Sequence, residues 1–188
     1  MIELGILADD LTGGMMVASL LEREGVDCPL VTSVDELESL ANSTATAVVV
    51  ARKIRLIPAK DARKEAIKTV QALKSIGCKR FYYKYCATFD STSQGNIGPI
   101  AEAMMEELDA SRTIFCPAFP EYTVTIFQGR MFLGNTPLGE SFKKNDPVTP
   151  MTNSNLVEVL ASQTNQKVGL IPHSLLLKGT KNIETHLN

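Results

Sequence analysis

Ile2-Glu3-Leu4-Gly5-Ile6-Leu7-Ala8-Asp9-Asp10-Leu11-Thr12-Gly13-Gly14 decides the fold. Residues 2–8 are short, mainly apolar and closed by two aspartates, which predicts a buried strand. Residues 12–24 follow with Met16, Val17, Leu20 and Leu21 on one stripe and Gly25 as a stop, which predicts a helix. The same alternation continues outward. Strands are predicted at 28–32, 47–51, 80–85, 113–116 and 168–171, with Ala47-Val48-Val49-Val50-Ala51 the most β-branched and therefore central. Helical patterns occupy 34–40, 59–76 (Pro58 at the entry, Gly77 at the exit), 97–108 and 153–161. A β-hairpin is expected over 127–137, around Gly129 and Gly134. Repeated strand–helix units predict an α/β protein. Its expected form is three-layer α/β/α, with a mainly parallel, Rossmann-like open sheet and a β-hairpin insertion. The methionine pairs Met15-Met16 and Met104-Met105 are expected to fill core space.

Composition narrows the function classes. The 188 residues are 44% hydrophobic and 21% charged, enough apolar surface for a core and far from a disordered chain. Nineteen Lys and Arg stand against 21 Asp and Glu, so no cationic excess exists to neutralise nucleic-acid phosphates. The apolar runs are too short for a membrane span, and Met1-Ile2-Glu3 does not open a signal peptide. A cytoplasmic chain with no nucleic-acid or membrane partner is therefore expected. The four cysteines are scattered and neither histidine is near one in sequence, so reduced thiols and no metal site are expected. Gly179-Thr180 reads as a helix start that stops abruptly, which suggests a domain incomplete at its C-terminus. A sheet edge left open in this way would favour a homo-oligomer.

In an open parallel sheet, ligands sit beyond the carboxyl ends of the strands, so the residues that follow each strand carry the chemistry. After the first strand, Asp9 and Asp10 offer two carboxylates for a cation or for polyol hydroxyls; Asp10 or Thr12 equally suits a helix cap. After the third comes Arg52-Lys53-Ile54-Arg55, a cation cluster that suits an anionic ligand or a solvated surface. After the fourth, residues 84–98 hold Lys84, Asp90, Ser91, Thr92, Gly95 and Asn96 in a polar loop longer than an ordinary turn. Cys86 has no histidine placed to activate it, so a structural thiol is expected there. Asp146-Pro147-Val148-Thr149-Pro150 is a rigid turn whose Asp is a further candidate for the same edge. Phosphate-loop, dinucleotide-binding and nucleophile-elbow motifs are all missing.

Four separated blocks point to one family. They are Ala8-Asp9-Asp10-Leu11-Thr12-Gly13; Lys84-Tyr85-Cys86 with Thr88-Phe89-Asp90-Ser91-Thr92 and Gly95-Asn96-Ile97-Gly98-Pro99; Pro117-Ala118-Phe119-Pro120-Glu121; and Asp146-Pro147-Val148-Thr149-Pro150-Met151-Thr152. In this order they resemble the N-terminal, substrate-binding domain of the four-carbon acid sugar kinase family, with the 3-oxo-tetronate kinases the members the chain looks most like. The resemblance implies ATP-dependent phosphorylation of a tetronate or 3-oxo-tetronate. It also implies that ATP and Mg2+ are bound mainly by a C-terminal domain outside this chain, leaving residues 1–188 as the sugar-acid half. Within that frame Lys84 and Arg55 would meet the substrate carboxylate. Asp9, Asp10, Asp90 and Asn96 would meet its hydroxyls, with Ser91, Thr92 and Gly95 in the same loop, and Asp10 is the expected catalytic base. The chain departs from the family pattern at Met15-Met16, Ala87 and Tyr122-Thr123-Val124. These departures favour as an alternative a non-catalytic sugar-acid-binding domain or an inactive fragment.

Overall fold

The computed structural model describes residues 2–40, 42–90 and 92–187. The chain divides into two compact units, Met1–Cys86 with Gly95–Ile114, and Ala87–Gln94 with Phe115–Asn188. The first unit runs β1 (Leu4–Ala8), α1 (Leu11–Arg23), β2 (Leu30–Val31), β3 (Ala47–Ala51), α2 (Ala59–Ser75), β4 (Arg80–Lys84) and α3 (Ile97–Glu107). The second runs β5 (Val124–Phe127), β6 (Arg130–Leu133), β7 (Thr136–Pro137), α4 (Leu156–Ala161), α5 (His173–Leu176) and α6 (Thr180–Leu187).

The first unit is the expected α/β sandwich. Its four strands are parallel in the order β2-β3-β1-β4. Alternating side chains serve opposite faces. Ile6, Ala8, Val49 and Ala51 pack with Ala18, Val17 and Leu21 of α1. Leu7 packs on the other face with Ala62, Ala66 and Val70 of α2 and Ile100 and Met104 of α3. Val48, Val50 and Leu73 extend that second layer. β1 therefore hands the chain to a helix on one face, and its neighbour β3 hands it to a helix on the other. This divergence makes the carboxyl ends of these two strands a topological switch point, where open α/β sheets bind ligands. The register is level there, with Ala8 beside Ala51 on one side and Lys84 on the other.

The packing of α1 differs from the expected stripe. Its most buried residues are Gly13, Gly14 and Ala18, not the larger Met16 and Leu20. Small residues bring the helix start against the strand ends: a Cβ on Gly14 would lie 2.7 Å from the Ala51 Cβ and 3.4 Å from that of Ala8. Met15 is 57% exposed and so does not fill the core, whereas Met104 does.

Several predicted elements change form. Segment 34–40 is a 3-10 helix, with Val34 and Leu37 as its buried contacts. The second strand contracts from 28–32 to Leu30–Val31. No strand forms at 113–116. The chain passes from one unit to the other between Ile114 and Phe115. The Phe115 ring stacks edge-on with Phe89 at 6.4 Å in the second unit, while Ile114 is 67% exposed. β4 is consequently the edge of the sheet. Segment 168–171 likewise has no ladder partner and remains irregular.

The hairpin of the second unit is a three-stranded antiparallel sheet, β5-β6-β7, that begins at Val124. Gln128 and Gly129 both take positive φ between β5 and β6, the geometry of a two-residue turn matched to strand twist. Met131 and Leu138 are fully buried in this unit, and Met151, Leu156 and Leu160 nearly so. Cys28 and Cys78 are buried in the first unit and burial pushes both thiols up to about 11; Cys86 is half-buried and Cys116 exposed. Among the described residues no helix is long and apolar enough to cross a membrane.

Candidate functional site

The carboxyl-end edge of the first unit's sheet holds an ion-pair cluster built from three strand ends. Asp9 leaves β1 almost fully buried, at 1% exposure. Its backbone is pinned: its N–H donates to Lys84 O (3.1 Å), and its carbonyl accepts from the N–H groups of Ile54 (3.0 Å) and Arg55 (3.2 Å). These bonds bring the loop after β3 over β1 and deliver Arg55. The guanidinium grips Asp9 bidentately, Nη2 to Oδ1 at 2.7 Å and Nε to Oδ2 at 3.2 Å, while Nη1 reaches Asp10 Oδ2 at 2.9 Å. The Tyr83 hydroxyl donates more weakly to Asp9 Oδ2 at 3.5 Å.

The cap reading of Asp10 is realised. Asp10 is the N-cap of α1, with Oδ1 accepting from Gly13 N–H at 2.7 Å, and its other oxygen meets Arg55. Capping fixes the side chain and leaves it more exposed than Asp9. The cation run is divided: Arg52 pairs with Glu65 of α2, Lys53 is exposed, and only Arg55 enters the cluster.

Asn96 acts on the same loop. From the N-cap of α3 its Nδ2 donates to the carbonyls of Ile57 (2.7 Å), Ile54 (2.8 Å) and Arg55 (3.1 Å). Those acceptors fix the amide orientation. They leave Oδ1 buried with no hydrogen-bond partner among the described residues. An orphaned buried acceptor costs about 1–3 kcal/mol. Gly95 stands immediately before this cap.

The electrostatics separate the two cations. Burial opposes charge on Arg55, but its hydrogen bonds to Asp9 and the Asp9 charge outweigh it and hold the guanidinium above its ordinary value. Burial pushes the Asp9 carboxyl up, with Arg55 pulling against it. Tyr83 is pushed well above the usual phenol range by burial and then by Asp9. Lys84 moves the other way: burial lowers it, and the nearby carboxylates only partly compensate. Its ammonium donates to Tyr85 O. Lys84 is thus the cation with most to gain from an incoming anion, because Arg55 already has two carboxylates.

The second unit gathers another set. Asp90 accepts from Thr88 Oγ1 at 2.6 Å and from Lys143 Nζ at 2.6 Å, and Lys143 also reaches Asp146 Oδ2 at 3.1 Å. Thr92 accepts at its carbonyl from Gln163 Nε2 (2.7 Å) and at Oγ1 from Gln94 N–H (3.3 Å). Ser91 lies outside the described residues. The structure thus brings Asp9, Asp10, Arg55, Lys84 and Asn96 together in the first unit, and places Asp90 and Thr92 in the second. Tyr83 and Lys143 escaped sequence reading. Tyr83 lies inside a strand and not at its end, and Lys143 in a segment with no strand end to mark it.

Asp146 provides a pH prediction. The N–H groups of Thr149 and Val148, then Lys143, hold its carboxyl down at about 2. A depressed folded-state value stabilises the protein above the ordinary 3.8, and that contribution is lost as pH falls toward 2. Asp146→Asn is expected to flatten the stability loss across this window, measured as denaturant midpoint against pH. An unchanged slope would remove Asp146 from the acid response.

Residues 4–188 match the sugar-binding N-terminal domain family. The chain belongs to that family. A 3-oxo-tetronate kinase of Pseudomonas savastanoi pv. phaseolicola is 41% identical over 184 residues, covering 98% of this chain and 43% of the relative. This sugar-binding N-terminal domain therefore spans less than half the length of the curated relatives it matches. A Haemophilus influenzae crystal structure aligns with TM-score 0.88 at 37% identity, over 97% of this chain and 44% of that one. A Bordetella bronchiseptica structure, a domain-swapped dimer with bound citrate, aligns with TM-score 0.74 at 29% identity, over 85% of this chain and 40% of that one.

Proposed function

We propose that this domain is the sugar-acid-binding portion of an ATP-dependent kinase, acting in the cytoplasm on a four-carbon sugar acid of the tetronate or 3-oxo-tetronate type. The observation that carries it is the cluster at the ends of β1, β3 and β4: a buried Asp9–Arg55–Asp10 network beside Lys84, whose charge is under-compensated. Lys84 receives the carboxylate of the acid. Arg55, held by Asp9, supplies a rigid edge, and Asp10 stands at the helix start as hydroxyl partner and candidate base. The orphaned Oδ1 of Asn96 is a further hydroxyl acceptor. Gly95, next to Asn96, belongs to the same proposed set, and Asp90, Ser91 and Thr92 are proposed separately as substrate contacts.

The residues present do not suit a nucleotide or Mg2+. Arg55 already engages both carboxylates of the cluster, and Asp9 is closed to solvent. A hard cation needs several open oxygen ligands. MgATP binding is therefore assigned to residues other than these. The kinship with a citrate-bound, domain-swapped dimer supports a small carboxylate ligand and a homo-oligomer.

A thermal-shift titration tests the proposal. Threonate at 100 times its dissociation constant is expected to stabilise by about 2.7 kcal/mol. For a chain of this size that is roughly 5–10 °C. MgATP alone is expected to give no shift. No shift with any four-carbon sugar acid would overturn the assignment.

A non-catalytic sugar-acid-binding role is the second reading. Exposed Met15, on α1 just beyond the Asp10 cap, favours it, since an apolar side chain there offers a substrate no hydrogen bond.

A further inference from the structure

Asp90 is held at both oxygens. Oδ1 accepts from the Thr88 hydroxyl and Oδ2 from the Lys143 ammonium, each at 2.6 Å. Lys143 is itself held at both ends. Its side chain donates a second bond to Asp146 Oδ2 at 3.1 Å. Its carbonyl accepts from Met151 N–H at 2.9 Å, and its own N–H donates to the capping Ser141 Oγ at 3.2 Å. Asp146 is fixed in turn, because Oδ1 accepts from Val148 N–H (3.0 Å), Thr149 N–H (2.8 Å) and, more loosely, the Thr149 hydroxyl (3.4 Å). The Lys143 and Asp90 side chains are 13% and 15% exposed, far less than a solvated surface pair.

We propose that Lys143 is a positioning residue: backed by Asp146, it holds the Asp90 carboxylate in one orientation, so that a lone pair is presented to a hydroxyl of the sugar acid. This rests on the reading that Asp90 contacts the substrate. A staple between two loops needs one ion pair. Here donors on both carboxylate oxygens also set the plane of the group, and directional acceptance of a hydroxyl requires that plane. Burial opposes the Lys143 charge, but its bonds to Asp90 and Asp146 outweigh it, so the ammonium is held firmly protonated.

The test compares threonate with butyrate, which keeps the carboxylate and lacks the hydroxyls, by calorimetric titration of the full chain. Wild type is expected to prefer threonate. Lys143→Met is expected to reduce that preference at least tenfold with butyrate affinity unchanged, and Lys143→Arg to restore most of it. A lowered melting midpoint with the preference intact would show a structural staple and overturn the proposal. Should Lys143→Met fail to fold, Asp146→Asn decides. It leaves Asp90 and Lys143 in place and is expected to reduce the preference about threefold; an unchanged preference overturns the proposal. A wild-type chain that binds neither acid would instead sink the sugar-acid reading itself, a result distinct from retained discrimination in the variants.

Discussion

Asp9→Ala is expected to destabilise the first unit by about 3–5 kcal/mol, the range for breaking a buried ion pair on one side. The carboxylate is closed to solvent, and its removal leaves Arg55 with Asp10 as its ion-pair partner among the described residues. The loop after β3 loses its side-chain anchor as well, although the backbone bonds to Asp9 remain. Removing the guanidinium too relieves the under-paired charge. Asp9→Ala combined with Arg55→Met is therefore expected to cost less than the sum of the single changes, with a coupling of about 1–3 kcal/mol. Urea unfolding of the four proteins measures this. Additivity within about 0.5 kcal/mol would mean that the two side chains do not depend on each other. Sugar-acid binding is expected to vanish in both single variants, since Arg55 is positioned by the carboxylate it loses.

Gly14→Val is expected to cost about 3 kcal/mol, at the upper end for overpacking a core. The new Cβ would meet the Ala51 Cβ at 2.7 Å and Leu30 Cδ1 at 3.3 Å. Ala51 and Ala8 belong to paired central strands that cannot retreat, so α1 must move. The helix start carries the Asp10 cap, and displacing it pulls one carboxylate away from Arg55. Loss of ligand affinity is therefore expected to accompany loss of stability. Gly169→Ala is the control, because nothing lies within 4 Å of a Cβ built there. Wild-type stability in Gly14→Val would show that α1 does not press on the strand ends.

Much of the α/β layout was legible because two signals are local. The β-branched run at 47–51 suits only a strand buried on both faces, and the aspartate pair after residue 8 marks where the first strand ends. The same logic failed at 113–116, where Thr113-Ile114-Phe115-Cys116 looks like a strand. Local pattern says nothing of whether a partner strand is reachable, and Phe115 instead stacks on Phe89. The stripe on α1 was legible only in part for a related reason: Val17 and Leu21 do pack on the sheet, but the most buried residues are smaller ones. Hydrophobic periodicity rewards large side chains, whereas this interface is defined by Gly13, Gly14 and Ala18, whose smallness matters only once the sheet is in place.

The sequence by itself determined the alternation of strands and helices, the carboxyl-end positions of Asp9, Asp10, Arg55 and Lys84, and the kinship to a sugar-binding family. Only the tertiary structure decided which charges neutralise one another. Asp9 and Arg55 are 46 residues apart, and Asp90 and Lys143 are 53 apart. No spacing rule reaches so far. The level register of three strand ends and the backbone bonds of one loop make the first pair. A turn locked by Asp146 makes the second. Ion pairing falls off steeply with distance and with access to water, so it is set by the folded path of the chain and not by the order of residues along it.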